Sequence, residues 1–279
     1  MGTLYLVATP IGNLEDITLR ALRVLKEVPL IAAEDTRTTR KLLARYGIST
    51  PLVSFHEHSP PARLAELLQA LQQGDVAVVS EAGMPGISDP GYRLVQEALA
   101  AGFPVVPIPG PSAVTTALAA SGLPADRFLF LGFLPARASA RRKALADTAP
   151  LPYTLVCFEA PHRLLETLED ALEILGDRRL AIARELTKVH EEFWRGTLGQ
   201  ALEHFRAQAP RGEFTLVIAG AGEERAAAGR WSEEQVRQEL GRLLAEGISL
   251  KEAARHVAGQ AGWSRREVYQ LGLETLAKK

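Results

Sequence analysis

The stretch VSEAGMPGISDPGYRLV, Val79 to Val95, sets three glycines and two prolines between a strand-like opening and a helix-like close. Glycines let backbone approach a ligand with no Cβ in the way. The spacing is neither G-x-G-x-x-G nor G-x-x-x-x-G-K-S/T, so it marks neither a dinucleotide fingerprint nor a P-loop. Asp89-Pro90 reads as a helix N-cap followed by proline at the first helical position. Three more loops, rich in glycine, proline or hydroxyl residues, follow strand-like runs in the same way: ATPIGNLED (8–16), AAEDTRTTR (32–40) and PIPGPSAVTTALAASGLP (107–124), in which Ser112 is placed to cap a helix. None carries a basic residue fixed for a pyrophosphate. Four such loops fit a nucleoside-like molecule held by backbone groups, whereas any one alone reads equally as a tight turn.

A second set of residues carries charge. FEAPHRLLE (158–166) places Glu159, His162 and Arg163 after an apolar run, and ARELTKVHEE (183–192) gathers Arg184, Glu185, Lys188 and His190 after the next. Such clusters bind substrates or form solvated rims. PARASARRK (135–143) joins Arg137, Arg141, Arg142 and Lys143 with no acid, a phosphate-binding loop or an ordinary solvated one. SFHEH (54–58) sets His56 and His58 two apart with no evident third ligand, and no other spacing demands a metal. The single cysteine, Cys157, lies inside an apolar run, where a buried structural thiol is expected rather than a nucleophile.

The frame for these loops is legible as alternation. LYLVA (4–8), PLIAA (29–33), VAVVS (76–80) and FPVVPI (103–108) are nearly all apolar, as in strands covered on both faces. Amphipathic helical spacing fills the intervals, which predicts a mainly parallel sheet with ligands at the carboxyl ends of its strands. SGLPADR (121–127) interrupts the periodicity and marks a boundary. Beyond it, RFLFLGF (127–133), LPYTLVCFEA (151–160), RRLAIARE (178–185), EEFWRGT (191–197) and GEFTLVIAG (212–220) read as strands with only two helical patterns among them, a more antiparallel α+β arrangement. GAGEERAAAGR (220–230) reads as a linker. SEEQ at Ser232, SLKE at Ser249 and SRRE at Ser264 are capping boxes that predict three short helices. The last two, joined by AGQAGW (258–263), resemble a helix-turn-helix, or a tail packed on the body or on a partner subunit.

Bulk properties bound the class. The chain has 279 residues, 47% hydrophobic and 23% charged, with formal net charge −1, close to an average globular protein. No apolar run reaches the roughly 18–20 residues of a membrane span, and the first residues lack the charged start of a signal peptide. The expectation is a soluble cytoplasmic protein with units at 1–120, 121–222 and 231–279. Nucleic-acid binding would have to come from local basic patches.

Taken together, LVATPIGNLEDITLRA, AAEDTRTTRKLL, SFHEH, SEAGMPGISDPG, PIPGPSAVTTALAASGLP, FEAPHR and ARELTKVHEEFWRGT closely resemble the ribosomal-RNA-modifying branch of the tetrapyrrole methylase family, the class III S-adenosylmethionine-dependent methyltransferases. The resemblance covers Gly2 to about Gly222, and the tail resembles the small helix-turn-helix extension of the same enzymes. It implies two α/β domains of the tetrapyrrole methylase type with a C-terminal three-helix extension, and S-adenosylmethionine bound in the cleft between the domains. It further implies 2′-O-methylation of a cytidine ribose in the decoding region of 16S rRNA, by a homodimer whose partner is that rRNA or the small ribosomal subunit. Carried over residue by residue, the cofactor would meet Pro10, Glu81, Ala82, Gly83, Met84, Ser112, Ala113, Phe158, Gly212, Glu213 and Phe214. Glu81 stands where the branch mostly carries aspartate.

For such a reaction alignment is the main task, because methyl transfer from a sulfonium is downhill while a ribose hydroxyl is a poor nucleophile. Glu185 is the candidate base or orienter, Lys188 would lower the cost of the developing alkoxide, and His56 is the alternative base. Arg37 and Arg163 would clamp phosphates. Arg137, Arg141, Arg142 and Lys143 would line a basic groove, joined by Arg265 and Arg266 of the tail. A small-molecule, tetrapyrrole-type methyltransferase and a non-catalytic RNA-binding assembly factor are the rival readings. The tail and PARASARRK argue against the first, the charged strand ends against the second.

Overall fold

A computed structural model describes residues 1–56, 58–88, 91–222, 231–261, 263 and 265–277. The first five strands, β1 (Leu4–Val7), β2 (Leu30–Ala33), β3 (Leu52–Ser54), β4 (Val76–Val79) and β5 (Val105–Ile108), make a parallel sheet in the order β3-β2-β4-β1-β5. Side chains alternate between its faces. Val7, Ile31, Ala33, Ala77 and Val79 bury against α1 (Leu19–Glu27) and α2 (Thr36–Arg45). Leu4, Ala32, Val76 and Val78 bury against α3 (Pro61–Gln73) and α4 (Gly91–Ala100). Two covered faces are why these strands are apolar throughout.

The second sheet holds β6 (Phe128–Phe133), β7 (Thr154–Glu159), β8 (Arg179–Arg184), β9 (Glu192–Thr197) and β10 (Phe214–Ile218) in the order β6-β7-β10-β8-β9. Only β6 and β7 run parallel; the other pairs are antiparallel, in line with the strand-rich pattern of the second half. One face is covered by α6 (Ala138–Thr148), α7 (Leu164–Leu175) and α8 (Leu198–Ala207). The other is covered by α5 (Ala113–Ser121), whose Val114, Ala117 and Leu118 bury against Val156, Ala181 and Val217.

That packing moves the boundary. The chain crosses from one sheet to the other at the Pro109–Ser112 turn, so the second packing unit begins at Ala113 rather than after residue 120. The break at SGLPADR is a helix end: Gly122 takes φ 78° as the left-handed C-cap of α5. PARASARRK is likewise not a loop, since α6 begins at Ala138. Its inward face is disguised in the sequence because a buried position holds Arg141, 2% exposed, whose Nε donates to Asp170 Oδ2 at 2.7 Å and whose Nη2 donates to Glu166 Oε2 at 3.3 Å.

The tail folds on its own core. In α9 (Glu233–Ala245), α10 (Leu250–Ala261) and α11 (Arg265–Ala277), Val236, Leu240, Val257, Val268 and Leu271 pack together. Ser232 and Gln235 form the full reciprocal capping box, and the Ser249 hydroxyl accepts the Glu252 amide at 3.3 Å. AGQAGW is mostly helix, because α10 continues to Ala261. The Asp89-Pro90 cap, the Ser264 cap and linker residues 223–230 lie outside the described residues. No helix among the described residues is long and apolar enough to cross a membrane.

Removing one partner of a buried ion pair strands the other charge, a loss of about 3–5 kcal/mol. Arg141→Ala should therefore lower the urea midpoint by a corresponding amount, and adding Asp170→Ala should recover part of it. Equal additive losses would show that the pair is not coupled.

Candidate active site

Four loops meet at the carboxyl ends of the first sheet, and hydrogen bonds join them. The Thr9 amide donates to Gly83 O at 2.9 Å and the Gly83 amide returns the bond at 3.1 Å, which ties the loop after β1 to the loop after β4. Gly83 has φ 84°, the left-handed region that suits glycine. Behind it the Ser80 hydroxyl donates to Gly83 O at 3.2 Å. Glu34, next after β2, accepts the Glu81 amide on Oε2 at 3.1 Å. Gly110, after β5, stands so close to Ala8 that a Cβ there would lie 2.8 Å from the alanine methyl.

The second sheet answers with the turn after β8. Gly12 of the first loop presses on it: a Cβ would come within 2.6 Å of Lys188 Cγ and Thr187 Oγ1. The Asn13 amide donates to Thr187 Oγ1 at 2.9 Å. Glu185 and Thr187 hold φ 51° and 64°, sparsely populated for residues with a side chain. Lys188 Nζ donates to Glu185 Oε1 and to Glu213 Oε2, both at 2.9 Å, and the Glu213 amide donates to Glu185 Oε1 at 2.9 Å. The Lys188 hydrogen bond is the main reason the Glu185 carboxyl lies below its usual range; partial burial opposes it and the Glu213 amide reinforces it. Burial pulls the Lys188 ammonium down, but its bonds to Glu185 and Glu213 outweigh that and leave it raised. Lysine is therefore protonated and carboxylate ionised at neutral pH.

Between these two halves lies a cavity of about 600 Å³, within the ~300–1,000 Å³ common for small-molecule sites. Pro10, Glu81, Ala82, Gly83, Met84, Ser112, Ala113, Phe158, Glu213 and Phe214 all line it, as does Lys188. Gly212 does not. At φ 87° it sits against Glu185, where a Cβ would be 2.6 Å from that side chain, and with Glu185, Arg184, His190 and Arg211 it lines a separate pocket of about 470 Å³. Ser112 is at the N-cap position of α5, but its side chain makes no cap hydrogen bond. Phe158 packs between Phe130 and Phe133, with ring centroids at 5.0 and 5.4 Å, and gives the cavity an aromatic wall. Glu34, Thr38 and Phe133 also line it. They sit in a loop, the first turn of α2 and the end of β6, and their types alone mark no chemistry there.

Other expected residues are placed elsewhere. His56 is exposed and does not line the cavity. Arg163 is structural rather than a phosphate clamp: it donates to the Leu134 carbonyl and its Nε lies 3.3 Å from Glu159. That carboxylate, 1% exposed, also accepts from Thr167 Oγ1 at 2.6 Å and from the Ala160 amide at 2.9 Å. Arg141 is buried among acids and cannot face a phosphate, and Arg142 is paired with Glu173 and with Asp170 at 3.6 Å. Arg137, Lys143, Arg265 and Arg266 are exposed. Arg37 is exposed near the cavity and pairs with Asp35 at 3.1 Å; its hydrogen bonds hold that carboxyl down to about 2. Cys157 is fully buried and its thiol is pushed up to about 12 by burial, then by the Glu159 charge, which leaves it inert.

A family model for Tetrapyrrole (Corrin/Porphyrin) Methylases matches residues 3–202, and one for the RsmI C-terminal HTH domain matches residues 232–276. The chain is 51% identical over 276 residues to the ribosomal RNA small subunit methyltransferase I of Synechocystis sp., with 98% of each chain covered. It is 53% identical over 221 residues to that of Thermotoga maritima, covering 79% of this chain and 99% of the relative. Among solved structures, the uroporphyrin-III C-methyl transferase of Thermus thermophilus complexed with S-adenyl homocysteine superposes with a TM-score of 0.55 at 23% identity, over 77% of this chain and 97% of that one.

The clamp has a pH signature. Glu185 is depressed, so its stabilisation is present above its ordinary value and is lost as pH falls through the folded one. Lys188 is raised, so its stabilisation is present below its ordinary value and is lost as pH rises through the folded one. The melting-temperature gap between wild type and Glu185→Gln should be constant from about pH 5 to about pH 10 and close outside that window. A gap that ignores pH would mean that only shape matters there.

Proposed function

The chain belongs to the tetrapyrrole methylase family, and from that premise we propose that it transfers a methyl group from S-adenosylmethionine to small-subunit ribosomal RNA. The acceptor is the 2′-oxygen of a cytidine ribose in the decoding region of 16S rRNA, and the enzyme works as a homodimer in the cytoplasm. The observation that carries the reading is the cavity itself: four glycine-, proline- or hydroxyl-rich loops on one side, an aromatic wall and a held lysine on the other. Near full-length identity to relatives named for ribosomal RNA, tail included, favours RNA over a tetrapyrrole.

The residues present suit the cofactor. Gly83 offers backbone without a Cβ, Phe158 and Met84 give apolar surface, and Ser112 has a side chain not committed to its helix. When bound, S-adenosylmethionine supplies a methyl group activated by its sulfonium charge. Of the remaining lining, Glu34, Thr38, Leu14, Ile87 and Lys188 are left for the acceptor.

Four glutamates line the cavity, and their partners separate their roles. Glu159 is buried and fully engaged, Glu213 is bonded to Lys188, and Glu81 is exposed at the rim. Glu34 is half-buried and gives one oxygen to the Glu81 amide, which fixes the carboxylate and leaves the other oxygen for a substrate hydroxyl. Glu34 would accept the ribose proton as the oxygen–carbon bond replaces the methyl carbon–sulfur bond, whose electron pair stays on the departing thioether, and would release the proton to water. Glu185 is then an orienter, not the base. It holds the Lys188 ammonium toward the cavity, where positive charge stabilises the developing alkoxide. His56, outside the cavity, takes no part.

Labelled methyl groups from S-adenosylmethionine, offered to small subunits lacking the modification, should appear on one ribose of the decoding region. Glu34→Gln should lower kcat by about 10²-fold or more while cofactor affinity holds. Full turnover by that variant would remove Glu34 from the proton-accepting role, and label on a porphyrin precursor instead of rRNA would overturn the substrate.

A further inference from the structure

The charges of α2 serve neither the fold nor the transfer step. Its sequence, TRTTRKLLAR, holds Arg37, Arg40, Lys41 and Arg45 and no acid. At 3.6 residues per turn those four fall within an arc of about 140°. Thr39, Leu42 and Leu43 occupy the opposite arc and are buried against the first sheet. All four basic side chains are exposed. Among the described residues, the one ion pair this helix makes is Arg37 with Asp35. The contrast with α6 is direct, since there one arginine is buried among acids and another is paired. α1 also shows basic residues, but it carries Glu27, paired with Arg23 at 2.7 Å.

The place of α2 gives its charge a direction. The helix starts two residues after Glu34, and Thr38 of its first turn lines the cavity. From Arg37 to Arg45 the strip runs about 12 Å away from that mouth, enough to meet more than one phosphate. A polymer whose single ribose enters the cavity must leave its flanking backbone outside.

We propose that the exposed face of α2 binds the ribose–phosphate backbone of the RNA strand flanking the nucleotide held in the cavity. The inference rests on the reading of the protein as an RNA methyltransferase. It replaces the cluster at 135–143 as the main phosphate-binding surface. Arginine and lysine contacts to phosphate fix register and orientation without reading sequence, and the cavity then chooses the sugar.

The test uses the full chain and a radiolabelled decoding-region RNA, with binding measured across a salt series. Every phosphate that is no longer neutralised should flatten the log–log salt dependence by about 0.7–0.9, so Arg40→Gln/Lys41→Gln/Arg45→Gln should flatten it by about 2. The KM for small subunits should rise roughly tenfold or more with cofactor affinity unchanged. Arg40→Lys/Arg45→Lys should keep the wild-type slope, because it keeps the charge. An unchanged slope and KM in the triple glutamine variant would overturn the proposal, as would a defect confined to binding of anionic lipid vesicles. A wild-type protein that binds the RNA with the α2-dependent slope but methylates no subunit would instead count against the function, so the two failures are distinguishable.

Discussion

The cavity exists because a glycine backbone lies directly on the turn after β8. Gly12 leaves no room for a methyl group, so the main chain of the first loop sits directly on the Thr187 and Lys188 side chains and the Leu186 carbonyl. The turn is costly in itself: Glu185 and Thr187 both hold positive φ, a strain on the order of 1–3 kcal/mol each. Bonds at the same place offset it. Glu185 gives its amide to Glu213 O and takes the Glu213 amide and the Lys188 ammonium on one carboxylate oxygen. Gly212, next to Glu213, has no room for a side chain because that space is filled by Glu185. One strained turn thus sets the distance between two sheets and aims the lysine.

The opposite wall obeys the same logic with less strain. Parallel strands release their loops on one edge, and the carboxyl ends of β1, β2, β4 and β5 gather there by topology alone. The two-way Thr9–Gly83 bond and the Glu34–Glu81 bond turn that proximity into a fixed surface. A surface fixed before binding loses less conformational freedom when a ligand arrives.

Legibility in the sequence follows how far each feature depends on distant partners. The strands of the first sheet can be read because burial on both faces leaves a continuous apolar run, as in VAVV of β4. The cofactor loops can be read because glycine and proline declare backbone geometry locally. α6 cannot, because a buried arginine erases its amphipathic stripe, and only Asp170 in another helix explains why an arginine is there. A boundary at 121 is misplaced because a glycine that ends a helix and a glycine that ends a domain look alike; the apolar faces of α5 belong to a sheet formed later in the chain. Glu34 and Glu185 both follow strands directly, and nothing in their types tells them apart. The difference lies in Lys188 and Glu213, which occupy both the charge and the acceptor of Glu185, and in the Glu81 amide, which leaves Glu34 half free.

The same dependence on context governs charge. A formal net charge of −1 gives a polyanion no reason to approach the molecule as a whole, and at physiological salt fields fade over about 8 Å. What counts is whether exposed basic side chains near the mouth lack acids to neutralise them. Density in the sequence points to 135–143, but folding commits Arg141 and Arg142 of that cluster to Asp170, Glu166 and Glu173. α2 looks weaker on paper because its basic residues are spaced by threonine and leucine, yet that spacing is what puts all four on one face. A relative spanned almost entirely by 221 matched residues has about the length of the two-sheet body alone. α2, which begins at the cavity and carries no acid, lies on that body and not on the tail.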